Sequence, residues 1–161
     1  TTDRSFMLDG QFEGDNRPPA VMRLTPSNFG PYPMSNGISR LETRFLGEPE
    51  TLGVAEGLIG DDLEGMDAED SGLVTMAPDD IDWEDEIRML IEERGSFSAD
   101  SLTGMEANLR FAGPETMETK IFARLTAWQN WIFQRPNAVG QEGALQLYGT
   151  GLRPKYNKER V

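Results

Sequence analysis

Thr25-Pro26-Ser27-Asn28-Phe29-Gly30-Pro31-Tyr32-Pro33-Met34-Ser35-Asn36-Gly37-Ile38-Ser39-Arg40-Leu41 is the stretch around which this chain is arranged. A largely apolar run, Ala20-Val21-Met22-Arg23-Leu24, enters it as an extended strand. Three Pro, two Gly and two Asn from Pro26 to Gly37 then make the backbone turn repeatedly. The loop releases into a helix over 38–46. Asn36 or Ser39 supplies its cap, Gly47 its end, and Leu41, Phe45 and Leu46 its apolar face.

On the amino-terminal side, Thr1-Thr2-Asp3-Arg4-Ser5-Phe6-Met7-Leu8 reads as a strand, and 9–19 as a polar loop rich in turn residues, Gly10, Gly14, Asp15, Asn16, Pro18 and Pro19. On the other side, Pro49 starts a short helix that runs to Leu58 and breaks at Gly60-Asp61-Asp62. Leu73-Val74-Thr75-Met76 reads as a short strand closed by Ala77-Pro78. Asp79 or Asp80 caps a helix with apolar Trp83, Ile87, Leu90 and Ile91, ended by a left-handed Gly95. Ser98 opens another, with Leu102, Met105 and Leu109 on one face.

Gly113-Pro114-Glu115 is expected to open the longest helix. Met117, Ile121, Leu125, Trp128 and Ile132 recur along it in steps of three and four, and Phe122 and Trp131 widen the stripe. Arg135-Pro136 stops it, because proline lacks a donor and disfavours helical geometry in the residue before it. A short helix over Glu142 to Tyr148 and a basic tail complete the chain. Trp128, Trp131 and Phe133 are read as helix or subunit packing in preference to a ligand pocket. The sequence contains no internal repeat.

With 161 residues the chain has length for a sizeable core. No run approaches the roughly 20 apolar residues that span a bilayer. The absence of Cys excludes disulfides and thiolate metal sites, and the absence of His removes the commonest general base and transition-metal ligand. The net charge is −13, and between Glu48 and Glu93 there are 17 acidic residues against Arg88 alone. Such a body repels phosphate backbones, so nucleic acid is not an expected partner. Asp61, Asp62, Glu64, Asp67, Glu69 and Asp70 do not have the alternate spacing and central glycine of a calcium loop, and read as a solvated acidic helix-turn. The tail reverses the charge with Arg153, Lys155, Lys158 and Arg160 against Glu159.

The order of these motifs resembles the crotonase (enoyl-CoA hydratase/isomerase) superfamily. Gly30, Pro33, Gly37, Arg40 and Leu41 match its Gly-x-x-Pro-x-x-x-Gly-x-x-Arg-Leu spacing. Gly47, Val54-Ala55, Leu58-Ile59-Gly60, Asp67-Ala68-Glu69-Asp70 and Gly72-Leu73-Val74 follow in the family's order. Within that superfamily, Asp80-Ile81-Asp82-Trp83-Glu84-Asp85-Glu86-Ile87-Arg88, Leu102 to Phe111 and Trp128-Gln129-Asn130-Trp131 resemble the carboxyl-terminal part of the benzoyl-CoA-dihydrodiol lyase family.

The resemblance implies an α/β crotonase-like fold, of which this chain is the carboxyl-terminal portion. A few strands of the spiral core and its loop would occupy 1–47, and a mainly helical packing and oligomerisation region 48–161. The strand at Asp3-Arg4 falls deep inside that family's domain, so the chain is expected to be the distal part of a larger polypeptide. It implies hydrolytic opening of the oxygenated ring of benzoyl-CoA, as a 2,3-epoxybenzoyl-CoA dihydrolase that releases formate during aerobic benzoate degradation in the cytoplasm. The expected partners are the rest of the same enzyme, further copies of the chain and a CoA-thioester substrate, with no membrane, metal or other cofactor.

Crotonase chemistry polarises a thioester carbonyl with two backbone N–H groups and moves protons with carboxylates. In the resemblance the N–H segments lie upstream of this chain, and the place of one catalytic glutamate is taken by Ser27-Asn28. A serine without an activating partner cannot replace that base. No catalytic residue is therefore assigned, and the chain alone is expected to be inactive. Arg153 and Lys155 are the candidate substrate-binding residues, toward a CoA phosphate, although Leu152 stands where the family has a further basic residue. The alternatives are a non-catalytic acidic protein-interaction subunit, or part of another acyl-CoA-processing crotonase.

Overall fold

The computed structural model describes residues 4–110 and 113–159; the side chain of Leu109 is outside the description. Thr1-Thr2-Asp3 of the expected first strand, Phe111, and Arg160 of the basic tail lie outside the described residues. The chain divides into two compact units, Thr1–Leu90 and Ile91–Val161.

In the first unit the extended segment Ser5 to Asp9 lies along Thr75 to Pro78. Phe6 and Met76 form a parallel bridge. Met7 N–H donates to Met76 O at 3.2 Å, Asp9 N–H to Pro78 O at 2.9 Å and Thr75 N–H to Ser5 O at 2.8 Å. Both stretches were expected as strands, and each has one bridge. The run at 20–25 becomes β1 (Met22–Arg23), paired antiparallel with β2 (Asp62–Leu63), a strand the sequence reading did not foresee. Arg23 and Asp62 face each other across this pair, with Arg23 Nε donating to Asp62 Oδ1 at 2.8 Å.

The central loop ends as expected at a capped helix, α1 (Arg40–Arg44). Ser39 is the cap: Glu42 N–H donates to its Oγ at 3.1 Å, and Ser39 N–H donates back to Glu42 Oε2 at 2.5 Å. Gly47 adopts φ +89° and turns the chain into α2 (Pro49–Gly57), with Pro49 at the first position. Met7, Leu24, Phe45, Ala55, Leu63, Ala68, Leu73 and Val74 form the buried core, and Leu41 packs against it. Leu46, expected on the same face, is exposed, because the helix has ended before its turn comes round.

The acidic stretch forms α3 (Gly65–Asp70), where Ala68 is fully buried. Its carboxylates hold backbone: Glu69 Oε2 accepts from Ala77 N–H at 2.6 Å, and Asp67 Oδ2 from Glu64 N–H at 3.4 Å. Next comes α4 (Trp83–Ser96), introduced by Asp79, whose Oδ1 accepts from Ile81 and Asp82 N–H, each at 3.0 Å. Gly95 is helical and not a left-handed terminator, since α4 runs through it to Ser96.

The second unit contains α5 (Ala99–Arg110), capped by Ser98 Oγ, which accepts from Ser101 N–H at 3.1 Å. The next helix begins at 117, not at Pro114. Thr116 is its cap, accepting from Thr119 N–H at 3.3 Å. It is not regular either. A π-helical segment, Thr119–Leu125, precedes α6 (Thr126–Ile132), and Thr126 Oγ1 donates to Ile121 O at 2.6 Å. The wider turn breaks the three-and-four stepping, and Met117, Ile121, Phe122 and Leu125 are exposed while Trp128 and Trp131 are half-buried. Helix α6 ends at Ile132, and Pro136 then starts α7 (Pro136–Val139); α8 (Ala144–Leu147) is shorter than expected.

The entry to α3 is tight. A Cβ on Gly65 would lie 2.8 Å from Asp9 Cα and 2.9 Å from its Oδ1. Gly65→Ala is expected to destabilise the first unit by about 1–3 kcal/mol through forced separation of these backbones. A lower urea midpoint at unchanged slope checks this, and an unshifted midpoint refutes it.

Candidate functional site

Arg135-Pro136 fixes the local geometry from which a polar site is built in the second unit. The residue before proline is held extended, and Arg135 has φ −93° and ψ 136°. That aims its guanidinium at α5, while Asn137 begins the next turn beside it. Arg135 Nε donates to Asp100 Oδ1 at 3.1 Å, and Asn137 Nδ2 donates to Asp100 Oδ2 at 3.0 Å. The Asp100 side chain is only 6% exposed and that of Arg135 19%. A carboxylate this far out of water persists only when paired and hydrogen-bonded, and both oxygens of Asp100 are.

Asn137 is buried as well and carries the network to the tail. Its Nδ2 donates to Asn157 O at 3.1 Å and its Oδ1 accepts from Asn157 N–H at 2.8 Å. The Arg135 guanidinium also lies 5.2 Å from the centre of the Trp131 ring, and Trp131 meets Trp128 edge-on at 5.4 Å. One aromatic pair, one ion pair and one amide clamp therefore join α5, α6, α7 and the tail.

Beside the clamp is a cavity of about 190 Å³, lined by Ser98, Ser101, Ile132, Phe133, Leu145 and Tyr156 among others. It has room for a ring-sized apolar group, and falls below the roughly 300–1,000 Å³ of sites for larger ligands. Its two serines belong to the α5 cap, and Asp100 is engaged on both oxygens.

The sequence-predicted site residues are on the same tail. Arg153 is exposed. Lys155 is tied to Glu142 twice, its N–H donating to Glu142 O at 3.0 Å and its Nζ to Glu142 Oε1 at 2.9 Å. Hydrogen bonding to Glu142 raises the Lys155 pKa above its ordinary value. Lys158 Nζ donates to Gly95 O at 2.6 Å. Ser27 and Asn28, in place of the family's glutamate, are in the first unit in a short 3-10 turn, Pro26–Asn28. Asn28 Oδ1 accepts from Thr25 N–H at 2.8 Å, so its polar end caps that turn. Among the described residues no group of three or more His, Cys, Asp or Glu is placed to hold a metal ion.

Asp100 and Asn137 were missed in the sequence. The only local signal was Arg135-Pro136, read as a helix stop and not as the device that aims Arg135.

No family model matches this chain. Across 159 residues, at 50% identity, it is similar to the carboxyl-terminal portion of a lyase. That relative is the benzoyl-CoA-dihydrodiol lyase of Aromatoleum evansii, and the match takes in 99% of this chain and 28% of the relative's length. The chain thus spans under a third of the curated relative it matches.

Two outcomes test the electrostatics. Asp100→Ala strands Arg135 and Asn137 and is expected to cost about 3 kcal/mol, seen as a lower urea midpoint; no change would show that the network is not structural. At the surface of the first unit, the Arg17 side chain hydrogen-bonds Asp15, holding the Asp15 carboxyl down at about 2 against an ordinary 3.8. A lowered folded pKa contributes stability that is present above 3.8 and lost as pH falls through about 2. Titration of the Asp15 carboxyl by NMR should give that low midpoint, and Arg17→Ala should return it toward 3.8.

Proposed function

We propose that this chain forms the carboxyl-terminal portion of a crotonase-fold lyase that opens the oxygenated ring of benzoyl-CoA with loss of formate. The observation that carries this reading is the 50% identity to benzoyl-CoA-dihydrodiol lyase, sustained over nearly the entire chain. The reaction is the 2,3-epoxybenzoyl-CoA dihydrolase step of aerobic benzoate degradation, in the cytoplasm. Among the described residues no helix is long and apolar enough to cross a membrane.

On this reading, 1–47 carry distal strands and the loop of a crotonase-like core, and 48–161 pack against the rest of the enzyme and further copies. The catalytic carboxylates and oxyanion-binding N–H groups belong to the remainder of the polypeptide. Arg153, exposed, and Lys155, held by Glu142, present positive charge toward a CoA phosphate. This chain brings surface and positioning, and no proton-transfer group of its own.

A second reading, a non-catalytic acidic subunit that binds a partner protein, is favoured by the apolar face of the π-helical segment. Met117, just before it, is 70% exposed and Phe122, within it, 74%. The third, part of another acyl-CoA-processing crotonase, shares the fold and changes the acyl group.

Complementation separates these readings. The Aromatoleum evansii lyase, truncated to lack the portion matched here, would be mixed with this chain and supplied with 2,3-epoxybenzoyl-CoA. Restored formate release is expected, with none from the chain alone. If the relative's own carboxyl-terminal portion restores formate and this chain does not, the lyase reading fails. Arg153→Ala with Lys155→Ala should raise KM for the CoA thioester several-fold with kcat little changed.

A further inference from the structure

The tail and the small cavity belong to one construction. Tyr156 is part of the cavity wall, and the residue after it is the one that Asn137 holds by both backbone groups. An amide side chain that pairs with a neighbour's N–H and C=O together imitates one rung of an antiparallel ladder. Asn137 can do so only in one orientation, with Oδ1 toward Asn157 N–H. Asp100 Oδ2 sets that orientation, because a carboxylate accepts from the Nδ2 side alone. Arg135 in turn holds Asp100 in place through its other oxygen.

The other tail contacts differ in kind. The Lys155–Glu142 ion pair is exposed on both sides, with side chains 79% and 63% accessible, so water and salt weaken it. Lys158 donates to Gly95 O from an exposed position. Among the described tail contacts, the Asn137 clamp is the one made by a buried side chain. Tyr156 thus has a tether on each side, Lys155 N–H donating to Glu142 O at 3.0 Å before it and the Asn137 clamp on Asn157 after it.

We propose that the tail around Tyr156 is a strap across one side of the cavity, with Asn137 as its latch and Asp100 as the residue that sets the latch. Released at Asn137, Tyr156 leaves the wall, and the mouth of the cavity widens for a neutral apolar group of about the size of one ring. Held, Tyr156 keeps the mouth narrow. Asn137 and Asp100 act here as positioning residues.

Proteolysis reads the strap directly, since chymotrypsin must take the Tyr156 ring out of the wall to cut before Asn157. Tyr148, 88% exposed and followed by Gly149, provides a site in the same unit that the latch does not guard. In the 161-residue chain, initial cleavage at Tyr156 is expected to be about tenfold or more slower than at Tyr148, followed by intact mass. Asn137→Ala should bring the two rates to within about twofold, while Lys155→Ala should leave the ratio unchanged. Amide exchange of Asn157 N–H in the unaltered chain needs no variant, and about tenfold or greater protection is expected. The strap is refuted by equal cleavage at the two tyrosines in the unaltered chain. It is equally refuted by an unprotected Asn157 N–H, by a ratio unmoved in Asn137→Ala, or by Lys155→Ala releasing Tyr156 as effectively.

Discussion

A carboxylate taken out of water must be met on both oxygens, and in the second unit Asp100 imposes that requirement. Its partners are one residue before and one after Pro136, so the break that the proline introduces is what brings them together. Asn137, turned by Asp100, then captures the tail. Remove the carboxylate and three elements lose their common reference. The first unit rests on a different constraint, the pairing of an amino-terminal segment with a stretch some 70 residues later. Its small apolar core lies between those segments, β1, β2 and the first three helices.

On the proposed reading, the division of labour is chemical. A chain without His or Cys has carboxylates as its main neutral-pH proton carriers. Several of those described here are engaged in structure: Asp62 faces Arg23, Glu69 holds Ala77, Asp79 begins α4, and Asp100 sets Asn137. Glu42 caps α1, where the Ser39 N–H holds its carboxyl below the usual range. What the chain offers is therefore surface, placement and a basic tail. Identity to a lyase three to four times its length fits such a contribution.

Local signals in the sequence were read correctly where one residue controls one turn. Ser39, Asp79 and Ser98 cap the expected helices and Pro49 opens one, while the helix expected to run to Gly47 ends earlier, at Arg44. Readings failed where the outcome depended on distant atoms. Gly95 looked like a terminator, yet α4 passes through it. Pro114 looked like a first turn, yet Thr116 does the capping. The π-helical turn has no period that a three-and-four pattern would reveal. Asp100 and Asn137 are 37 residues apart and individually unremarkable, so their contact was not legible in the chain. Arg153 and Lys155 came from the family pattern, which says nothing of the glutamate that Lys155 meets.

The pairing of Ser5 to Asp9 with Thr75 to Pro78 also has a consequence in time. Closing a loop of about 70 residues is slow and unfavourable until the intervening helices have shortened the path. On a ribosome adding about 5–20 residues per second, the amino-terminal segment emerges about 4–14 s before its partner stretch. Through that interval the stretch that Met7 and Ser5 pair with in this unit, Thr75 to Pro78, has yet to be made. Of the contacts that build the first unit, this pairing is thus among those that wait longest for a partner.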